Sequence, residues 1–272
     1  MTEHSLNAIQ ELLASSRVDD MRQGLKMVEQ EISSMGSENA RDLFEILSTL
    51  FYLDPIERPD LAPILDEALN LISGFGNWVI PALLEKLDGC DFKAQFAIAN
   101  GLGRIGASAI DPLIQEFKQT QDGGRRAFIL YALGKIKSPL IAVAAPLVLE
   151  AARSSHTELC DTATRGIGKI AGSIPAGALP EDLRRSLHEQ LLKNLALENA
   201  GIRSKAMRSL GKLAKYGHLN HEEMEKLKNI CEELLGVGER FEWDYAYIVR
   251  REAKEALQYV CGNRDLKIPT VH

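Results

Sequence analysis

Apolar residues recur along the chain at steps of three and four, with polar residues between them, the spacing of a helix that buries one face. Ile202, Ala206, Leu210 and Leu213 follow steps of four, four and three. Shorter apolar runs precede such stretches, as in Val79-Ile80-Pro81-Ala82-Leu83-Leu84-Glu85-Lys86-Leu87. The chain therefore predicts helices in pairs, a short apolar first helix followed by a longer amphipathic second one.

The pairs repeat. Leu102-Gly103-Arg104-Ile105, Leu133-Gly134-Lys135-Ile136, Ile167-Gly168-Lys169-Ile170 and Leu210-Gly211-Lys212-Leu213 are one pattern at four places. A proline stands 22 residues before each of the first three glycines, at Pro81, Pro112 and Pro146. The fourth unit has Glu189 there, but keeps the apolar pair at Leu191 and Leu192. Constant interiors with variable joints are what stacked supersecondary units produce, since insertions are tolerated at the turns. Proline early in a helix removes a donor that had no intrahelical acceptor. Glycine inside a helix costs about 1 kcal/mol relative to alanine. Its return at one register predicts close approach by a neighbouring helix.

The stretch Ile202-Arg203-x-x-Ala206-x-x-Ser209-Leu210-Gly211 and its relative Val249-Arg250-x-x-Ala253-x-x-Ala256-Leu257 resemble the second helix of HEAT repeats, nearest to the phycobilisome-lyase-like subtype. The resemblance covers residues 76–262 as five units, near 76–106, 107–137, 138–172, 180–217 and 220–262. The basic residue after the turn matches at Arg126, Arg203 and Arg250, and is replaced by Gln95 and Cys160 in the other two units. Gln258 stands where the last unit would have its glycine, which suits a terminal repeat. The resemblance implies an all-α, right-handed α-α superhelix, a HEAT-like solenoid of about seven helix pairs. Its second helices would line a concave face.

Residues 1–75 carry the same helical spacing in degenerate form, around Leu6–Ala14, Met21–Ile32, Ala40–Tyr52 and Leu61–Ile72. Turn-rich Ser33–Ser37 and Asp54–Pro59 separate them. They read as two further helix pairs beginning the same solenoid. Residues 263–272, with Pro269, read as an extended or disordered tail.

Composition narrows the function. The 272 residues include 32 basic and 38 acidic side chains, for a net charge of −6, unevenly placed. Residues 1–110 hold 8 basic and 17 acidic side chains, and residues 111–272 hold 24 and 21. Attraction of nucleic acid by the whole molecule is counted against, while a local basic strip is not. There is no run of 18 uncharged apolar residues, and the start lacks a basic-then-apolar leader, so the expectation is a cytoplasmic protein without a membrane span. Cys90, Cys160, Cys231 and Cys261 stand far apart with no Cys-x-x-Cys pair, which argues against a disulfide or zinc framework.

The candidate binding residues form a column. Arg104, Lys135, Lys169 and Lys212 each follow a repeat glycine. Three residues before the glycines stand Asn100, Tyr131, Arg165 and Arg208. Positions four apart share one helix face, so Arg104, Lys135, Arg165, Lys169, Arg208 and Lys212 would make a basic ridge, with Tyr131 beside it. Lys205 and Lys215 extend the same basic stretch on the fourth second helix. A second group is Phe241-Glu242-Trp243-Asp244-Tyr245-Ala246-Tyr247, four aromatics at period two in an insertion of the last unit. Phe241, Trp243, Tyr245 and Tyr247 either anchor a partner or fold back over the open end of the stack.

Constellations for chemistry are weak. His218 and His221 stand three apart, but Asn220 between them reads as a helix cap and no third ligand is placed. His156 and Cys160, four apart, read as ordinary turn and helix residues. Cys90 sits between Asp88 and Asp91, which discourage a thiolate. Gly101-Leu102-Gly103-Arg104-Ile105-Gly106 spells a dinucleotide string but closes a helix where a nucleotide site would open one.

The reading is a non-catalytic scaffold or adaptor without metal or cofactor, binding a protein partner that offers an acidic or extended surface. Two alternatives stay open. One is a nucleic-acid-binding or DNA-repair protein of HEAT-like fold. The other is a bilin lyase-like enzyme or chaperone, suggested by the repeat subtype.

Overall fold

A computed structural model describes residues 3–237 and 243–262. The α-helices run in the order α1 (Glu3–Leu13), α2 (Val18–Met35), α3 (Arg41–Ser48), α4 (Ala62–Ser73), α5 (Val79–Glu85), α6 (Phe92–Ile105) and α7 (Ile110–Gln119). There follow α8 (Gly123–Leu133), α9 (Ala145–Ala152), α10 (Thr157–Ala171), α11 (Glu181–Leu195), α12 (Ala200–Lys215), α13 (His221–Leu234) and α14 (Tyr247–Cys261). Among the described residues extended pairing is confined to one antiparallel bridge between Leu235 and Trp243. The chain divides into two compact units, one up to Gln115 and one from Glu116.

In the first unit α1 packs on α2 and α3, and α4 lies between α2 and α6. Helices stand at the four stretches expected around residues 6–72. The serine-rich 33–37 stretch is less of a break than its composition suggests: α2 continues to Met35, and the chain turns at Gly36, where φ is +80°. Phe44, Phe51 and Phe75 are fully buried. Trp78 stacks on Phe75 at 5.7 Å, meets Phe44 edge-on at 5.9 Å and donates its indole N–H to the Ser37 carbonyl at 3.2 Å. Gly106, at φ +77°, ends α6, so the glycine string of residues 101–106 does close a helix.

In the second unit α8, α10, α12 and α14 pack in succession, and α9 packs on α11. Within pairs, α9 meets α10, α11 meets α12 and α13 meets α14. Two layers result, second helices on second helices and first on first. Ile202, Ala206, Leu210 and Leu213 are all buried, as their spacing predicts. Pro112 and Pro146 lie in the first turns of α7 and α9, where their missing N–H groups lose nothing.

Caps fix where each second helix starts. Twelve residues before the four repeat glycines stand Asp91, Asp122, His156 and Asn199. Each side chain accepts the backbone N–H three residues on, from Ala94, Arg125, Leu159 and Ile202, at 2.9, 2.5, 3.3 and 3.1 Å. The basic residue after the turn serves the other end of the pair. Arg126 donates to the Thr120 carbonyl at 2.9 Å, and Arg203 to those of Leu197 and Glu198 at 3.0 and 2.6 Å. Guanidinium groups there satisfy carbonyls left open at a first helix's C-terminus and complement its dipole.

The glycine column is packed as expected at two places. A Cβ on Gly168 would stand 2.6 Å from Ser209 Oγ and 2.9 Å from Ser209 Cα. On Gly211 it would stand 2.9 Å from Ala256 Cβ. Gly134 differs: it follows the last residue of α8, and its Cβ would meet its own helix's carbonyls at 3.3 and 3.4 Å and Lys169 Cγ at 3.5 Å. That is ordinary contact with the neighbour. The residues opposite, Ser209 and Ala256, occupy one register two places before the glycine position, and Gly101, Ala132 and Gly166 fill it elsewhere. Smallness on both sides lets the backbones approach.

Candidate functional site

Lys169 and Lys212 lie on α10 and α12, and Lys135 just beyond α8, each directly after its repeat glycine. Lys135 Nζ stands 4.9 Å and the Arg165 guanidinium 5.9 Å from the Tyr131 ring centre. These three and Lys169 rim a shallow depression floored by Leu130, Gly134 and Gly166. Partial burial, with Lys212, Arg165, Lys137 and Lys135 around it, pushes the Lys169 ammonium down to about 8. Burial lowers Lys212 as well, helped by Arg208, Arg165 and Lys137 and opposed by Glu255. Among the described residues Lys135, Lys137, Arg165, Lys169 and Lys212 form no ion pair.

The other members of the column are engaged within the chain. Arg208 donates to both carboxylate oxygens of Glu252, at 2.8 and 2.6 Å, and Glu252 is 1% exposed. Burial alone would raise the Glu252 carboxyl, but hydrogen bonds from Arg208 and Arg251 outweigh it and hold the group below its usual range. Arg104 belongs to the first unit, where it pairs with Asp66 and donates to Asn70 Oδ1 at 2.5 Å. Lys205 pairs with Asp161, and Lys215 Nζ lies 4.8 Å from the Tyr259 ring centre. Lys137 joins the cluster without having been legible in the column, because it follows the end of α8 in the turn.

The aromatic insertion separates into distinct parts. Phe241 lies outside the described residues. Trp243 is half exposed, bridges back to Leu235 and carries the Arg250 guanidinium over its ring at 4.4 Å. Tyr245 and Tyr247 are 93% and 68% exposed. Asp244, between Trp243 and Tyr245, anchors the segment: it takes two bonds from Arg203, at 2.9 and 3.0 Å, and accepts the Ala246 N–H at 2.8 Å. The extended reading holds at Trp243, in its bridge to Leu235, but Tyr247 already opens α14, so the period-two pattern does not run through as one extended piece.

Sequence candidates for chemistry sit in structural roles. His156 caps α10, and Cys160 Sγ contacts the Ala152 carbonyl at 3.3 Å. His218 is buried and donates a ring N–H to the Ala171 carbonyl at 2.9 Å, while Asn220 makes a capping box with Glu223. Burial, then Asp91 and Asp88, raises the Cys90 thiol. Buried His188, which the spacing did not single out, faces Glu223 at 3.3 Å. Among the described residues no three His, Cys, Asp or Glu side chains gather as a metal would require, and no helix is long and apolar enough to cross a membrane.

Helix pairs packed in two layers, with second helix on second helix, give an all-α fold similar to that of HEAT and armadillo solenoids. It is similar to importin beta in an ammonium sulfate condition, at 14% identity and a TM-score of 0.60, over 94% of this chain and 36% of that one. It is also similar to Kap95p from a study of its binding to RanGDP, at 14% identity and a TM-score of 0.61, over 94% of this chain and 35% of that one. The chain thus spans about a third of the length of these two relatives. Identity this low establishes the fold alone. No protein-family model matches the sequence, and no curated protein matches it.

Proposed function

We propose that the chain is a non-catalytic binding scaffold whose second unit takes a protein partner on its second helices. One observation carries the reading: Lys169 and the four cations around it form no ion pair among the described residues, in a chain that has six more acids than bases. Elsewhere in the chain Arg104, Arg184, Arg203, Lys205 and Arg208 all hold carboxylates. Unmatched charge in an acidic protein fits an anionic partner better than a solvated face. Four free thiols fit a reducing, cytoplasmic setting. The relation to the phycobilisome-lyase-like subtype rests on the repeat motif, and fold analogy does not bring chemistry with it.

Affinity capture from cell extract tests the reading. Wild-type chain retains a specific protein at low salt, and a chain with Lys135, Lys169 and Lys212 changed to glutamate retains less of it with unfolding unchanged. Filter binding that finds tight, strongly salt-dependent DNA or RNA capture instead would establish the nucleic-acid alternative.

A further inference from the structure

We infer that Lys135, Arg165, Lys169 and Lys212 are a docking site for one extended, carboxylate-rich peptide segment laid across α8, α10 and α12. The inference deepens the scaffold reading and rests on it for the choice of face. Its geometry comes from the repeat. Each repeat presents at least one cation, Lys135 beside α8, Arg165 and Lys169 on α10 and Lys212 on α12, and packed helices stand about 8–10 Å apart. A peptide in the extended polyproline II form advances about 3.1 Å per residue with three residues per turn, so side chains three apart point the same way. Acidic side chains at every third position therefore meet successive cations. A lone phosphate or a run of adjacent carboxylates would reach one helix and leave the others unmatched.

Three observations favour a peptide over a nucleic-acid strand. The Tyr131 ring already engages Lys135 and Arg165, so a base stacking on it would compete with two cations. On the α14 side the positive surface ends: Glu252 neutralises Arg208, and Glu255 stands near Lys212. That closes the site after about three repeats, too short a track for a polyphosphate backbone. The net charge of −6 also opposes capture of a long polyanion.

Binding should also take up a proton. Lys169 faces Lys135 and Lys137 from the end of α8, Arg165 on its own helix and Lys212 from α12, while Glu255 acts from α14 on Lys212. Free Lys169 is lowered to about 8, and a carboxylate beside it restores the charged form. Affinity therefore falls by about tenfold between pH 7 and pH 9, as protonated Lys169 becomes scarce.

The test is fluorescence anisotropy on the full chain with two labelled peptides of equal composition, one with glutamate at every third position and one with its glutamates in a block. Labelled oligothymidylate is the third probe. The expected result is preference for the spaced peptide, about tenfold weaker binding by Lys169→Gln and loss of the pH 7–9 dependence in that variant. Equal binding of the two peptides, tighter binding of oligothymidylate, or indifference to Lys169→Gln and Lys135→Gln/Lys212→Gln overturns the inference. A chain that still captures its protein partner from extract but ignores the spaced peptide keeps the scaffold reading and loses this one. Failure of both experiments removes both.

Discussion

Arg208 and Lys212 sit four residues apart on one helix, in the register that makes the basic column, yet they do different work. Arg208 closes on a carboxylate that is 1% exposed, while Lys212 has no ion pair among the described residues. Nothing local distinguishes them. Glu252 arrives 44 residues later, on the next second helix, and only helix-on-helix packing brings it to Arg208. The sequence column was thus readable as a row of positions but not as a row of free charges. Arg208→Glu would set a second carboxylate against the buried one, and although Arg251 still reaches Glu252, the lost charged hydrogen bonds should cost about 1.5–3 kcal/mol. Lys212→Glu should stay within about 1 kcal/mol of wild type. Urea unfolding of both variants separates the two roles. Lys169 gives a pH signature of opposite sense to a salt-bridged lysine. Its folded form gives up the proton near 8, while the unfolded chain keeps it to about 10.4, so the penalty of charging it in the fold is present at neutral pH and fades as pH rises above 8. Lys169→Gln should therefore unfold at higher urea than wild type at pH 7.5, and the gap should close toward pH 10.5.

At the scale of helices, the repeat glycines show what a regular spacing does and does not tell. A twenty-two-residue interval marks one register faithfully, but the space at that register depends on which neighbour packs there. Gly168 and Gly211 lie inside α10 and α12, against the backbone of the next second helix. Gly134 lies one residue past α8, against a lysine methylene. Gly168→Ala brings a methyl to 2.9 Å from a main-chain carbon, so overpacking of about 1–3 kcal/mol outweighs the gain of about 1 kcal/mol in helix propensity. Gly211→Ala should behave alike, and Gly134→Ala should be close to neutral in the same thermal melts. The caps were present in the sequence, at a fixed twelve residues before each glycine, as residue types that favour helix starts in three of four cases. His156 hides the series because histidine is not a usual cap. Asn199→Ala should cost about 1 kcal/mol, read as a lower unfolding midpoint, since it leaves the Ile202 N–H without its acceptor at 3.1 Å.

The whole molecule inherits its mechanics from being built by repetition. Contacts in the second unit run between sequence neighbours in the stack, α8 to α10, α10 to α12 and α12 to α14, so destabilisation at one joint is felt first by the two helices that share it. The fold class was legible because every repeat states it again, and a misread unit is outvoted by the others. The binding face was less legible because charge pairing is not repeated: Asp66, Asp161 and Glu252 each neutralise a different column member in a different way. Hydrogen exchange measured helix by helix turns the repeat argument into an experiment. In Gly168→Ala the joint between α10 and α12 is strained, so amide exchange should quicken most in those two helices, less in α8 and α14, and least in helices that do not touch the joint. An equal rise throughout the second unit would mean that it opens as one cooperative block, with interfaces too strong for any single joint to yield alone.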